Sequence, residues 1–387
     1  MNNHCGYIGT CGGCDRIGTE YAVTLQEKQA CLQSLLGDFS PVSPIIGMQD
    51  PLHYRNKVHR VLVKDRKGRI LSGIYQTGTH RVTAVDNCLI EDGICQRVIA
   101  AVRDLIVSFR LPVYDEDRGT GLVRHIVARR GFATGEIMVI LVMTSSVFPG
   151  KHRFLQELLK VHPEITTVVL NLNVRRTTMV LGERNIILYG PGYINDILCG
   201  LKFRLGPVSF FQVNPVQTEL LYGTAVEYAS LTSADTVIDA YCGTGTIGLT
   251  AARSAGRVIG VELNADAVKD AGLNAKQNGI TNASFFQGDA GDFMDSLTRR
   301  KEHADVVMMD PPRSGSTEKF LSSCVSASPR SVVYISCGPE TLKRDLSYFV
   351  KHGYAVRRIQ PVDMFPFTPH IETVTLLTKA DPCQRSC

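Results

Sequence analysis

The chain has 387 residues, 44% apolar and 20% charged, a length and balance that predict two soluble globular modules rather than one. No run approaches the ~18 apolar residues of a membrane-spanning helix, and MNNHCGYIGT has neither the basic start nor the apolar core of an export signal; a cytoplasmic monomer without membrane contact is expected. Twelve cysteines in such a chain argue against a disulfide framework and leave metal binding, catalysis or burial, while the net charge of +5 is held unevenly.

Residues 1–30 are rich in glycine and cysteine with little periodicity and read as a ligand-organised loop leading into a helix over 24–36. Cys5, Cys11 and Cys14 have C-x5-C-x2-C spacing, and Cys88 closes VTAVDNC. Four thiolates suit tetrahedral zinc or a [4Fe–4S] cluster, and spacing does not choose between them. Lys57 to Asp86 alternates β-branched and polar residues, broken by KGR and TGTH, which predicts a small antiparallel sheet. A helix over 94–110 follows, then strands at LVRHIVARR, EIMVILVMTS, TTVVLNLNV and TTMVLGE.

Residues 1–205 hold 25 Lys/Arg against 18 Asp/Glu, whereas 206–387 hold 17 against 19. The excess concentrates in RNKVHRVLVKDRKGR, Arg55 to Arg69, with seven Lys/Arg and one Asp. Such a block suits a polyanion-gripping module, with Arg55, Lys57 and Arg60 as phosphate contacts, or else a solvated hairpin tip. Near Gly206-Pro207 the texture changes to a helix over 214–230, then apolar strands alternating with helices. The division expected is an α+β module over 1–205 and, over 206–387, a doubly wound α/β module with its site at the carboxyl ends of the strands.

In that second module, Gly243-Thr-Gly245-Thr-Ile-Gly248 follows a strand, and Glu262 lies 19 residues past Gly243 at the end of VIGVE. Nicotinamide enzymes and S-adenosylmethionine methyltransferases both use such glycines for close backbone approach and an acid for ribose hydroxyls. Asp239 before the loop suits a cationic methionine end better than a pyrophosphate, and DPPRSG (310–315) at another strand end is commoner in methyltransferases. S-adenosylmethionine is therefore the favoured cofactor.

The chain resembles the RNA uracil-5-methyltransferases, which make 5-methyluridine in ribosomal and transfer RNA. The likeness covers nearly its whole length: YRNK (54–57), GIYQTGTHRVTAVDNC (73–88), RHIVAR (124–129), SFFQVN (209–214), DAYCGTGTIGL (239–249), DPPRSG, SCGP (336–339) and DMFPFTPHIETVTLL (363–377). It implies a Rossmann-like methyltransferase module behind an RNA-binding α+β module with a four-cysteine iron–sulfur site. It further implies that Gln212, Tyr241, Glu262, Asp289 and Asp310 contact cofactor and base, and that Cys5, Cys11, Cys14 and Cys88 hold [4Fe–4S], as in ribosomal members. Ribosomal RNA, the 23S molecule above all, is the implied partner. Two positions depart from the family pattern: Gly338 replaces a usual asparagine, and Phe367 a common histidine. The N-terminal TRAM barrel of many ribosomal members is not expected here.

Carbon 5 of uracil is a poor nucleophile. A thiolate adding to carbon 6 places electron density on carbon 5, and the hard step becomes two easier ones. Cys337 ends the run VVYISC before a Gly-Pro turn, a position that exposes a thiol at a strand mouth. A base must then remove the carbon 5 proton, and the resemblance points to Glu372 in HIETV. Two other readings compete. A cytosine-5-methyltransferase would carry Pro-Cys after the acidic strand end, where this chain has Arg313. An inactive RNA-binding iron–sulfur protein would have no reason to keep Asp239, Glu262, Asp310, Cys337 and Glu372 together. The remaining Cys31, Cys95, Cys199, Cys242, Cys324, Cys383 and Cys387 read as packing or surface residues.

Overall fold

The computed structural model describes residues 5–177 and 179–380; Cys383 and Cys387 lie outside them. The first half runs α1 (Tyr21–Leu36), β1 (Lys57–Lys64), β2 (Ile70–Tyr75), β3 (Val82–Ala84), α2 (Gly93–Ser108), β4 (Val123–Arg130), β5 (Ile137–Met143), α3 (Lys151–Val161), β6 (Ile165–Leu172) and β7 (Arg184–Tyr189), then the hairpin β8 (Ile194–Leu198) and β9 (Leu201–Leu205). The strands form a sheet of order β3-β2-β1-β4-β5-β6-β7, antiparallel except where α3 crosses between β5 and β6. Asp92 starts α2 by accepting from the Ile94 and Cys95 amides.

All seven residues of β5, IMVILVM, are buried. Alternation splits them between two cores. Ile137, Val139, Leu141 and Met143 face α2 and α3, whereas Met138, Ile140 and Val142 join Ile194, Phe203 and Leu221 in a core shared with the second half. The segment TTMVLGE corrects a sequence expectation: among its described residues there is no strand, and the edge strand is RNIILY instead. The buried Arg124 guanidinium takes the carbonyls of Asn173, Arg175 and Thr177, and the Asn173 side-chain amide those of Met179 and Val180, so this stretch folds around side chains instead of pairing with a strand.

The second half runs α4 (Pro215–Ala229), β10 (Thr236–Ala240), α5 (Thr246–Ala251), β11 (Arg257–Glu262), α6 (Ala265–Gln277), β12 (Ala283–Gln287), α7 (Ala290–Arg299), β13 (Val306–Met309), α8 (Glu318–Ala327), β14 (Ser331–Ser336), α9 (Pro339–Lys351), β15 (Tyr354–Val362) and β16 (Glu372–Lys379). The sheet order is β12-β11-β10-β13-β14-β16-β15, with β10 to β14 parallel and β16 antiparallel to β14. This is the α/β winding expected, with the order reversing between β10 and β13. Helix starts are chemically marked by Asn214, Asn264, Asp289 and Thr317, whose side chains accept from free amides of the first turn.

Chain order and packing diverge at the N-terminus. Helix α1 precedes the first sheet, yet Leu32 and Leu36 are fully buried in the core of the second, about 1.5–3 kcal/mol each. Val42 and Ile46 bridge in parallel to Ile359 and Val362 of β15. Among the described residues no helix is long and apolar enough to cross a membrane.

Candidate active site

After β10 the chain leaves through a loop in which Tyr241 (φ 64°), Gly243 (φ 53°) and Gly245 (φ 84°) are left-handed. The Gly248 amide donates to Asp239 Oδ2 at 2.7 Å, and a Cβ on Gly248 would stand 2.6 Å from that oxygen. Only glycine permits this approach. Glu262, ending β11, accepts from the Gly243 amide at 3.2 Å and the Asn264 amide at 2.9 Å, which ties its carboxylate to the loop. Asp289 caps α7 after β12, and the Tyr241 hydroxyl meets Ser316 Oγ at 2.9 Å. Four of the residues named from sequence, Asp239, Tyr241, Glu262 and Asp289, therefore sit around the carboxyl ends of β10, β11 and β12.

The next three strand ends carry the reactive types. Asp310 follows β13 and Cys337 follows β14. In the antiparallel register Ser336 pairs with Thr373, so Glu372, opening β16, comes to the same end of the sheet as Cys337. Gly338 starts α9, and a Cβ there would lie 2.7 Å from Thr341 Oγ1 and 2.9 Å from the Arg313 carbonyl. The glycine lets the turn after DPP close against the turn after the thiol.

The electrostatics are one-sided. Asp239 is fully buried, its Oδ1 has no partner among the described residues, and burial pushes its carboxyl up to about 7. Burial also raises Asp310, and it raises Glu372 well above the usual range, with the Asp310 charge adding to the effect. Glu372 Oε2 likewise lacks a partner. Among the described residues none of these three carboxylates is ion-paired. The half-buried Cys337 thiol is pushed up by burial, then by Glu372 and Asp310, while the nearby Arg313 cation pulls the other way. Arg313 also meets His370 Nδ1 at 3.1 Å. Buried Tyr222 on α4 faces the same acids, its hydroxyl raised by burial and then by Asp310, Asp239 and Glu372.

Arg313, His370 and Tyr222 were not singled out from sequence as site residues. Arg313 and His370 lie inside the motifs DPPRSG and DMFPFTPHIETVTLL; Tyr222 is an ordinary helix tyrosine without a local signal. Gln212 lies not at a strand end but in the loop between β9 and α4. It is nearly buried, without a side-chain hydrogen bond among the described residues, beside Val213, whose carbonyl accepts from the Asn56 amide at 2.9 Å.

At the N-terminus, Cys5, Cys11, Cys14 and Cys88 line one small cavity with Ile17, Val85, Leu89 and Ile90. Among the described residues no three Cys, His, Asp or Glu side chains are grouped to hold a metal ion. Burial first, then neighbouring negative charge, raises Cys14 and Cys88 to about 12. Cys11 is also raised.

The basic strand divides by face. Lys57 is half-buried with no carboxylate partner among the described residues, and burial, then Arg129 and Arg55, lower it to about 8. Arg60 corrects the sequence reading: it points to the opposite face, is 2% exposed and forms a two-pronged pair with Glu91, one arm at 2.7 Å. It is not available to phosphate.

A family model described as tRNA (Uracil-5-)-methyltransferase matches residues 200–380. An uncharacterized RNA methyltransferase of Caldanaerobacter subterraneus subsp. tengcongensis is 40% identical over 383 residues, 98% of this chain and 84% of its own. Another, of Oceanobacillus iheyensis, is 41% identical over 374 residues, 95% of this chain and 81% of its own. Among solved structures, the Pyrococcus abyssi tRNA (uracil-54, C5)-methyltransferase in complex with S-adenosyl-L-homocysteine superposes with a TM-score of 0.79 at 24% identity, covering 96% of this chain and 86% of that one. That likeness shows a shared fold.

Proposed function

The chain belongs to the RNA uracil-5-methyltransferase family, the S-adenosylmethionine-dependent enzymes of that reaction, and from this premise we propose that it methylates carbon 5 of uridine in 23S ribosomal RNA. The observation that carries the chemistry is the delivery of Asp310, Cys337 and Glu372 by three adjacent strands to one sheet end, beside the glycine loop. The Cys337 thiolate adds to carbon 6, forming a C–S bond and an enolate. Carbon 5 takes the methyl group, leaving S-adenosylhomocysteine. Glu372 removes the carbon 5 proton, and the C–S electron pair returns to sulfur as the thiolate departs. Asp239 and Glu262 receive the cofactor's cationic and ribose ends, with Tyr241 and Asp289 alongside, while Gln212 and Asp310 face cofactor and base.

In this reading residues 1–205 grip RNA and 206–387 perform the transfer, in a cytoplasmic monomer. Cys5, Cys11, Cys14 and Cys88 hold a [4Fe–4S] cluster. Support comes from four thiols that line one common apolar cavity. The cluster supplies a structural tie between the first residues and the end of the β3 segment. A transfer RNA uridine is the second reading, favoured by the description of the matching family model.

Purified protein with labelled S-adenosylmethionine should methylate 23S RNA and leave tRNA transcripts unlabelled, the site being mapped by mass spectrometry. Labelled tRNA with unlabelled 23S RNA would reverse the choice. Cys337→Ala should abolish transfer, by on the order of 10⁴-fold or more, with cofactor affinity kept; turnover retained in that variant would refute the covalent route.

A further inference from the structure

The segment 363–371 joins β15 to β16 and places Glu372 at the sheet end. Its anchors come largely from the first 54 residues of the chain. Lys28 Nζ, buried on α1, donates to Asp363 Oδ1 at 2.6 Å, the Phe365 carbonyl at 3.1 Å and the His370 carbonyl at 2.9 Å. The Tyr21 hydroxyl donates to Asp363 Oδ2 at 2.8 Å, the Tyr54 hydroxyl to the Pro366 carbonyl at 3.1 Å, and the Arg16 amide to the Phe367 carbonyl at 3.0 Å. Phe367, left-handed at φ 63° and fully buried, packs with Ile17, Tyr54 and Ile90 in the apolar cluster that also touches Cys5, Cys14 and Cys88. This accounts for the aromatic ring where the family commonly has histidine. From the second half, Asn214 donates to the Met364 carbonyl and Gln217 to that of Asp363, both at 3.0 Å.

An ammonium has three N–H donors, and here all three are used. One of them holds the start of the strap and another the carbonyl two residues before Glu372. We propose that Lys28 is a positioning residue for proton removal, clamping the strap so that Glu372 and His370 stand correctly beside Cys337. This rests on the reading of Glu372 as the base. Thiol addition and methyl transfer depend on Cys337, Arg313 and the glycine loop; the strap carries none of these and touches them through the Arg313–His370 contact. The clamp therefore acts on the second half of the reaction, in which a shift of about 1 Å is enough to slow proton transfer greatly.

The test is single turnover with RNA and S-adenosylmethionine, quenched in denaturant, scoring methyl incorporation and covalent protein–RNA adduct over time. Glu372→Gln is the benchmark and should hold the methylated adduct. Lys28→Met paired with Asp363→Asn, which leaves no lone buried charge, should incorporate methyl within about twofold of wild type but lose adduct ~10-fold more slowly or worse. If that pair does not fold, as judged by melting and cofactor binding, Tyr21→Phe carries the test: severalfold slower adduct decay supports the clamp, and wild-type decay overturns it. A persistent Glu372→Gln adduct with wild-type decay in the folded double variant overturns the clamp alone. No adduct in Glu372→Gln overturns the base reading, and the clamp's purpose with it.

Discussion

The two halves of the molecule leave opposite charges uncompensated. The second sheet buries Asp239, Asp310 and Glu372 without an ion pair among the described residues, and each carboxyl is pushed up. In the first, Lys57 has no acid partner among the described residues, and Arg124 and Arg129 rest on backbone carbonyls. Burial alone would select against both arrangements. An acidic pocket suits a small cation such as a sulfonium with an ammonium, and a cationic strand suits a polyanion. Each half is electrostatically incomplete without a ligand of the opposite sign.

The largest effect on ligand binding is expected of Asp239→Asn, which keeps an acceptor for the Gly248 amide but deletes the charge. Cofactor affinity should fall by about 30-fold or more, ~2 kcal/mol, with RNA affinity unchanged in a direct titration. A pH dependence accompanies it. A carboxyl held at about 7 when folded stabilises the fold below the usual carboxylate range, and that contribution is lost as pH rises toward 7. A bound cation favours the ionised form, so the melting-temperature gain from saturating S-adenosylmethionine should be larger at pH 8 than at pH 5.5 and shrink in Asp239→Asn. An equal gain at both pH values would place the cofactor's charge elsewhere.

The thiol cavity lies at the junction of the two halves, and the proposed cluster is tested there. Anaerobically purified protein should be brown with roughly four irons per chain. Cys11→Ser with Cys14→Ser should weaken RNA binding by about tenfold, ~1.4 kcal/mol, while cofactor affinity holds. Colourless protein with one zinc would replace the cluster but keep the tie; full RNA affinity in the variant would remove the tie. The smallest effect belongs to Lys57→Met, which should lower the slope of log affinity against log salt by about 0.7. Arg60→Met should instead destabilise the fold, by about 3–5 kcal/mol, because it strands Glu91. A melting loss in Lys57→Met with an unchanged slope would collapse the distinction between the two faces of β1.

What could be read from sequence was what short stretches determine. The glycine loop, the acid-ended strands and the capped helices are each written within a dozen residues, and the α/β winding followed from them. Arg60 was misread because a charge count ignores alternation, and its partner Glu91 lies 31 residues away. TTMVLGE failed as a strand because side chains from elsewhere take its carbonyls, Arg124 that of Thr177 and Asn173 those of Met179 and Val180. Nor does a sequence say that β16 runs antiparallel beside β14; that register is what sets Glu372 beside Cys337. Lys28 looked like any helix lysine, since its three acceptors lie more than 330 positions further along.

The bridge from Val42 to Ile359 also bears on how the chain is made. At about 5–20 residues per second, the ribosome adds the intervening stretch in roughly 15–60 s. Throughout that interval α1 must carry Leu32 and Leu36 without their native partners, so an early segment waits for the last strands to emerge. A fragment cut at residue 206 would show the mirror image, an apolar strip along α9 and β15 with nothing to cover it. Supplying residues 17–50 as a separate peptide is the natural way to make such a fragment soluble.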